Sequence, residues 1–273
     1  MLMWGQKVSV ISSDGKLVAV AGTQTLDVLS YPSLERVAVT IITEKEIYDA
    51  TFSNGNLVIA TTEELLVYAL PEPVSEKQEA PSNIKNKGKQ KADIVELELV
   101  QKVLPPAFPG STGSTFRAAR FHPENNGILY TMSNTIPGRT KGRKAAPRLG
   151  YVCKWNATTW KSEKVKKVSD KGLTCFAVSL DGTMIAFGSS DCSIGLLDAT
   201  TLNPLMTILK AHEFPPTTLT FNPTSKLLVS GSADNTIRVI GIPEDSSKYS
   251  WTTIILILIT LLIALVALLA QQT

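Results

Sequence analysis

The chain has 273 residues, 44% of them hydrophobic, and a formal net charge of +3. That length admits one large domain or two small ones, and so small a charge gives no reason by itself to invoke nucleic acid. Three cysteines, Cys153, Cys175 and Cys192, stand far apart without a CxxC pair. This argues against a zinc site or a disulfide framework and fits buried thiols in a reducing compartment.

The amino terminus, "MLMWGQKVSVISSDGK", has no basic start followed by a long apolar core, so no signal peptide is predicted. A repeating grammar begins at once. "VSVISSDGKLVAVAGTQTLDVLSYPSLERV" starts at Val8, and "YDATFSNGNLVIATTEELLVYALPEP" starts at Tyr48. A third copy, "FRAARFHPENNGILYTMSN" with "GYVCKWNATTWKSEKV", is split by an insertion. A fourth starts at Leu173 and a fifth at Thr217, with Gly188–Asp191 and Gly231–Asp234 in equivalent places. Each unit reads as short β-rich runs of Val, Ile, Leu, Phe and Thr separated by polar turns. Asp14-Gly15, Asn54-Gly55 and Asp181-Gly182 are pairs that tolerate the positive backbone angles of tight hairpins. In "TIRVIGI", Ile237 and Val239 face one way, Arg238 and Ile240 the other.

A period of about 40 to 45 residues with four short strands per unit predicts an all-β fold, a WD-repeat β-propeller with about five recognisable blades. His212, in "KAHE", stands at the place of the repeat's Gly-His-like dipeptide. Asp191 and Asp234 stand at the turn aspartate, and a buried Asp–His hydrogen bond there would contribute about 1–3 kcal/mol. The closing Trp-Asp pair is degenerate: Lys154-Trp155-Asn156 keeps the tryptophan and the other units lose it.

Residues 1–246 thus read as the propeller, with two interruptions. Residues 71–93 read as a flexible polar loop between blades, and 134–149 as a basic insertion. Lys161, Lys164, Lys166 and Lys167 follow the insertion. This is a solvated loop, or a patch facing anionic headgroups or an acidic partner. The basic residues lack the interleaved aromatics that stack bases, so no nucleic-acid partner is expected.

Residues 247–273 read as a membrane anchor. Trp251 to Ala270 spans about 20 residues, roughly 30 Å as a helix, which matches a bilayer core. Trp251 lies at the interface end, and Ile254, Leu256, Leu258, Leu261, Leu265 and Leu268 belong to a run that is apolar on every face. Lys248 before the span and the uncharged "QQT" after it place the preceding domain in the cytosol.

Enzyme signals are weak. The chain has two histidines, His122 in a "FHP" turn and His212, and both read as structural. There is no GxSxG, HExxH or P-loop, and no acid/base pair of carboxylates can be named, so no catalytic residue is assigned.

The order of these features resembles the WD-repeat family of endoplasmic-reticulum exchange factors for the Sar-type small GTPase of COPII, the prolactin regulatory element-binding protein-like family. The resemblance is carried by "VLSYPSLERV", by "STFRAARFHP" followed by the basic insertion and "GYVCKWN", and by "KAHEFPPTTLTF" leading through "SGSADNTIRVI" to the apolar end. It implies a single-pass protein of the endoplasmic reticulum membrane with its amino-terminal domain cytosolic. That domain would accelerate GDP release from the GTPase without covalent chemistry and so start vesicle budding. The family has seven blades, and its first carries a glycine-rich loop that binds a potassium ion and pushes against the GTPase. This sequence has no such run. The expectation is either that an amino-terminal portion is missing from the chain, or that the chain is a member without the loop's activity. No exchange-site residue is carried over. No cofactor is expected, and a potassium ion only where the missing loop is present. The alternative is a membrane-tethered propeller scaffold that binds proteins without exchange.

Overall fold

Alternating β-branched residues and Gly-containing turns build antiparallel hairpins, and the chain stacks them side by side. The structure, a computed structural model, describes residues 7–53, 55–71, 94–138, 147–243, 255–256 and 258–260. Among these, nineteen strands form five sheets. Blade 1 holds β1 (Val8–Ile11), β2 (Leu17–Ala21), β3 (Thr25–Ser30) and β4 (Ile41–Ile42). Blade 2 holds β5 (Ile47–Ser53), β6 (Asn56–Thr61), β7 (Leu65–Ala69) and β8 (Leu99–Val103). Blade 3 holds β9 (Ser111–Phe121), β10 (Ile128–Pro137), β11 (Gly150–Asn156) and β12 (Lys161–Ser169). Blade 4 holds β13 (Leu173–Val178), β14 (Met184–Ser189), β15 (Ile194–Asp198) and β16 (Pro204–Ile208). Blade 5 holds β17 (Pro216–Phe221), β18 (Leu227–Ser232) and β19 (Ile237–Gly241). Every sheet is an antiparallel meander in chain order, so the fold is an all-β propeller of five blades.

Two expectations change. Residues 72–93 lie outside the described residues, yet β8 pairs with β7, so that segment falls inside blade 2 and not between blades. The outermost strand, "LVQKV", is exposed at four of its five positions, so its hydrophobic pattern is too weak to announce a strand. The basic insertion also starts later than expected. β10 runs through Asn134 to Pro137, paired with an extension of β9 back to Ser111. Residues 139–146 lie outside the described residues.

The core lies between blades. Leu57 and Ile59 of β6 point into one cluster with Leu26 and Val28 of blade 1. Their neighbours Val58 and Ala60 point into the next cluster, with Phe116 and Leu129 of blade 3. Period-two alternation therefore buries both faces of an inner blade, which is why "NLVIAT" reads as one apolar run. Each such fully buried Leu or Ile contributes about 1.5–3 kcal/mol. Two further clusters join blade 3 to blade 4 and blade 4 to blade 5. Among the described residues no cluster joins blade 5 to blade 1. The outer face of blade 5 stays open, with Ile237 74% and Val239 64% exposed.

The turns follow one pattern. Ser12 and Ser179 donate their hydroxyls to Asp14 and Asp181, each at 2.6 Å, and Gly15 and Gly182 follow at φ +68° and +70°. The Ser12 hydrogen bond holds the Asp14 carboxyl below its ordinary value. The two glycines differ in surroundings. A Cβ on Gly15 would meet nothing within 4 Å, whereas one on Gly182 would lie 2.2 Å from the His122 ring. Gly15→Ala is therefore expected to cost about 1 kcal/mol of left-handed strain. Gly182→Ala should cost about 2–3 kcal/mol, with part of the excess relieved by His122→Ala in the double variant. Urea unfolding of the four proteins tests this, and equal losses at the two glycines would refute the His122 contact.

Candidate functional site

The innermost strands β1, β5, β9, β13 and β17 line a central channel with a cavity of about 420 Å³. Four of these strands carry a β-bulge near the same end. The pairing skips Tyr48 in β5, Arg117 in β9, Thr174 in β13 and Thr217 in β17, and all four side chains line the channel. A bulge re-aims a side chain out of the sheet register, so repetition of the bulge builds a ring of directed residues at one mouth. Each stands four residues before Phe52, Phe121, Val178 or Phe221. Aligning the repeats on those apolar positions would have found them.

Charge gathers at this mouth. Lys7 pairs with Glu46 and lies 6.0 Å from the centre of the Tyr48 ring. The Arg117 guanidinium lies over the same ring at 4.1 Å, a cation–π geometry that holds it in place. Deeper in, Asp49 is buried and paired with Arg120, and it accepts the amides of Ala50 and Ala119 at 3.0 Å each. Burial pushes the Asp49 carboxyl above its ordinary value, while Arg120 and the Ala119 amide pull the other way. Asp49 thereby stitches blade 2 to blade 3. Asn134 stitches blade 3 to blade 4 by holding both backbone groups of Leu173, at 2.9 and 2.7 Å. Thr174 stitches blade 4 to blade 5 by donating to the Pro216 carbonyl at 2.6 Å.

The residues singled out from the sequence fall into three places. His212 is buried at the edge of blade 5, with Nδ1 at 3.2 Å from Asp234 Oδ2 and 2.9 Å from Thr236 Oγ1, and Nε2 at 2.8 Å from Ser230 Oγ. Asp234 also accepts the amides of Glu213 and Thr236, both at 2.9 Å. The Thr236 hydroxyl, these amides and His212 hold its carboxyl well below the usual range. Asp191 sits in the β14–β15 turn, where burial opposes ionisation but the Ser193 hydroxyl and amide still keep the carboxyl below its ordinary value. Asp191 and Asp234 shape turns at the same end of their blades as the bulges, but none of these three residues lines the channel cavity. Among the proposed anchor residues, Leu256 and Leu258 are helical and exposed. Trp251, Ile254, Leu261, Leu265 and Leu268 lie outside the described residues. No helix among the described residues is long and apolar enough to cross a membrane.

The four lysines of β12 are exposed along an edge strand: Lys161, Lys164 and Lys166 share one face and Lys167 takes the other. Lys164 donates to the Thr200 carbonyl at 3.0 Å, and Lys167 pairs with Asp170. Charge of this kind keeps an edge strand from pairing with another chain. Thiol chemistry is also muted. Burial pushes Cys153 up to about 12 and Cys175 up to about 11, so neither is a thiolate near neutral pH. Among the described residues no group of three or more His, Cys, Asp and Glu could hold a metal ion. What the channel mouth offers is a charged and aromatic surface, suited to binding.

The WD domain, G-beta repeat family matches residues 203–240, which cover the outermost strand of blade 4 and the three strands of blade 5. Among solved structures, the β-propeller domain of Myceliophteria thermophila Cps50 (Swd1) superposes with a TM-score of 0.60 at 14% identity, covering 91% of this chain and 68% of that one. The computationally designed Ika8 protein gives 0.54 at 17% identity, covering 83% and 56%. The chain is therefore a WD-repeat β-propeller. SEC12-like protein 2 of Arabidopsis thaliana is 29% identical over 135 residues, 49% of this chain and 32% of that protein. This likeness to SEC12-like protein 2 spans half of this chain, and the WD repeat match and the propeller fold accompany it. A shorter stretch of 71 residues is 35% identical to human WD repeat and HMG-box DNA-binding protein 1, covering 26% of this chain and 6% of that protein. The chain thus matches a third or less of the length of either curated relative.

Proposed function

We propose that the chain is a membrane-anchored guanine-nucleotide exchange factor for a Sar-type small GTPase, acting at the endoplasmic reticulum membrane to start COPII vesicle budding. The observation that carries this reading is the likeness to SEC12-like protein 2 over half the chain. The apolar run from Trp251 to Ala270 supports a single carboxyl-terminal span, with the propeller on the cytosolic side. On this reading no covalent bond is made or broken, so the chain is not an enzyme in that sense. It binds the nucleotide-free GTPase better than the loaded form and, by reciprocity, weakens nucleotide binding by the same factor. The tether confines exchange to one membrane and raises the local concentration of the propeller there.

The test is release of fluorescent GDP from a Sar-type GTPase in the presence of the full chain reconstituted in vesicles. Faster release, with preferential capture of the nucleotide-free GTPase, is expected. Absence of both would sink the reading. The second reading, a tethered scaffold without exchange activity, rests on the charged and aromatic channel mouth, which suits binding. It predicts stable capture of protein partners with GDP release unchanged.

A further inference from the structure

A second cavity, of about 360 Å³, opens beside the channel mouth between blades 3 and 4. Three cations from three separate segments line it. Arg117 comes from the β9 bulge, Arg148 from the residues before β11, and Lys171 from the loop between β12 and β13. Asn134, Thr174 and Ser190 add polar atoms, and among the described residues no carboxylate lines the space. The two nearest in sequence are engaged elsewhere: Asp170 with Lys167, and Asp191 with the Ser193 amide and hydroxyl.

Like charges drawn together around a cavity repel one another, and an anion placed between them reverses that sign. The wall is also set in advance. Arg117 is held by its bulge and by the Tyr48 ring, and the loop entering β13 is held by both hydrogen bonds of Asn134 to Leu173. Such preorganisation lowers the ordering cost of binding. The volume lies in the range of small-molecule sites. A phosphomonoester carries about −1.5 to −2 charges near pH 7 and three acceptor oxygens, which suits two guanidinium forks and an ammonium better than a single carboxylate does. We infer that this cavity is a binding site for a phosphomonoester, carried either by a small soluble polyol or by a lipid headgroup. The inference does not rest on exchange activity.

Calorimetric titration of the full chain in non-ionic detergent tests it with three probes: glycerol 3-phosphate, a short-chain phosphatidylinositol 4-phosphate and short-chain phosphatidylserine. Saturable binding of a phosphomonoester is expected, with phosphatidylserine much weaker. Arg148→Gln with Lys171→Gln should weaken that binding by at least about tenfold, because two charge-assisted contacts are removed. Both side chains are exposed, so the melting temperature of the double variant should not move. Lys161→Gln, at the far end of β12 and outside the cavity, should bind as the parent does. Tighter binding of the lipid probe assigns the headgroup, and equal binding assigns the soluble ester. No saturable binding of either phosphomonoester at millimolar concentration, equal affinity in the double variant, or equally tight phosphatidylserine would overturn the site.

Discussion

Trp155→Ala is expected to destabilise the chain by about 3–5 kcal/mol, the range of a large aromatic removed from a packed core. Trp155 is 3% exposed, its ring centre is 6.3 Å from that of Phe116, and it belongs to the cluster that joins blades 2 and 3. Its indole N–H donates to Thr131 Oγ1 at 2.8 Å across the β10–β11 ladder, and Thr131 is fully buried. The polar part can be separated from the packing part. Trp155→Phe keeps most of the ring and removes the donor. Thr131→Val keeps the shape and strands the donor. Each should cost about 1–3 kcal/mol in urea unfolding of the full chain. Because they remove one shared interaction, the double variant should cost less than the sum, by about 0.5–3 kcal/mol. Strict additivity would mean that the hydrogen bond contributes nothing and that Trp155 acts by packing alone.

The same ladder explains what the sequence could and could not disclose. In blade 3, Trp155 pairs with Leu129 and bonds the hydroxyl two residues further on, Thr131. In blade 5, Ile240 pairs with Leu228, and the hydroxyl two residues further on is Ser230, which faces His212. Blade 3 keeps the tryptophan half of a shared arrangement and blade 5 keeps the histidine half. Each half alone is a weak motif. The period, the Asp-Gly turns and the apolar runs were legible because they are local. Three other features were not. β8 is exposed and lies far along the chain from β7, and its place is decided by pairing alone. The bulges that aim Tyr48 and Arg117 change no residue type in the pattern and appear only once registers are compared. Alternation in "TIRVIGI" separates two faces, yet it does not tell which is covered. Ile240 packs toward blade 4, while Ile237 and Val239 face outward from the last blade.

His212 and Asp234 carry the other large expected effect, and its pH dependence sets it apart from simple packing. His212→Ala would leave Ser230 and Asp234 without their buried partner, at a cost of about 2–4 kcal/mol. Asp234 acts through its charge. Hydrogen bonds from the Thr236 hydroxyl, from the Glu213 and Thr236 amides and from His212 place its folded-state pKa below that of the unfolded chain. Where the unfolded state binds more protons than the folded state, stability falls as pH falls. The contribution of Asp234 is therefore complete above the unfolded value of about 4 and declines as pH drops below it towards the folded value. Asp234→Asn removes this carboxylate and its dependence on protons. At pH 6 the variant should melt below the parent, and the gap should narrow as the pH is lowered from about 4. A gap that stays constant from pH 6 to pH 3 would show that the amide has lost shape or hydrogen-bond geometry and that the carboxylate charge is not what closes the last blade.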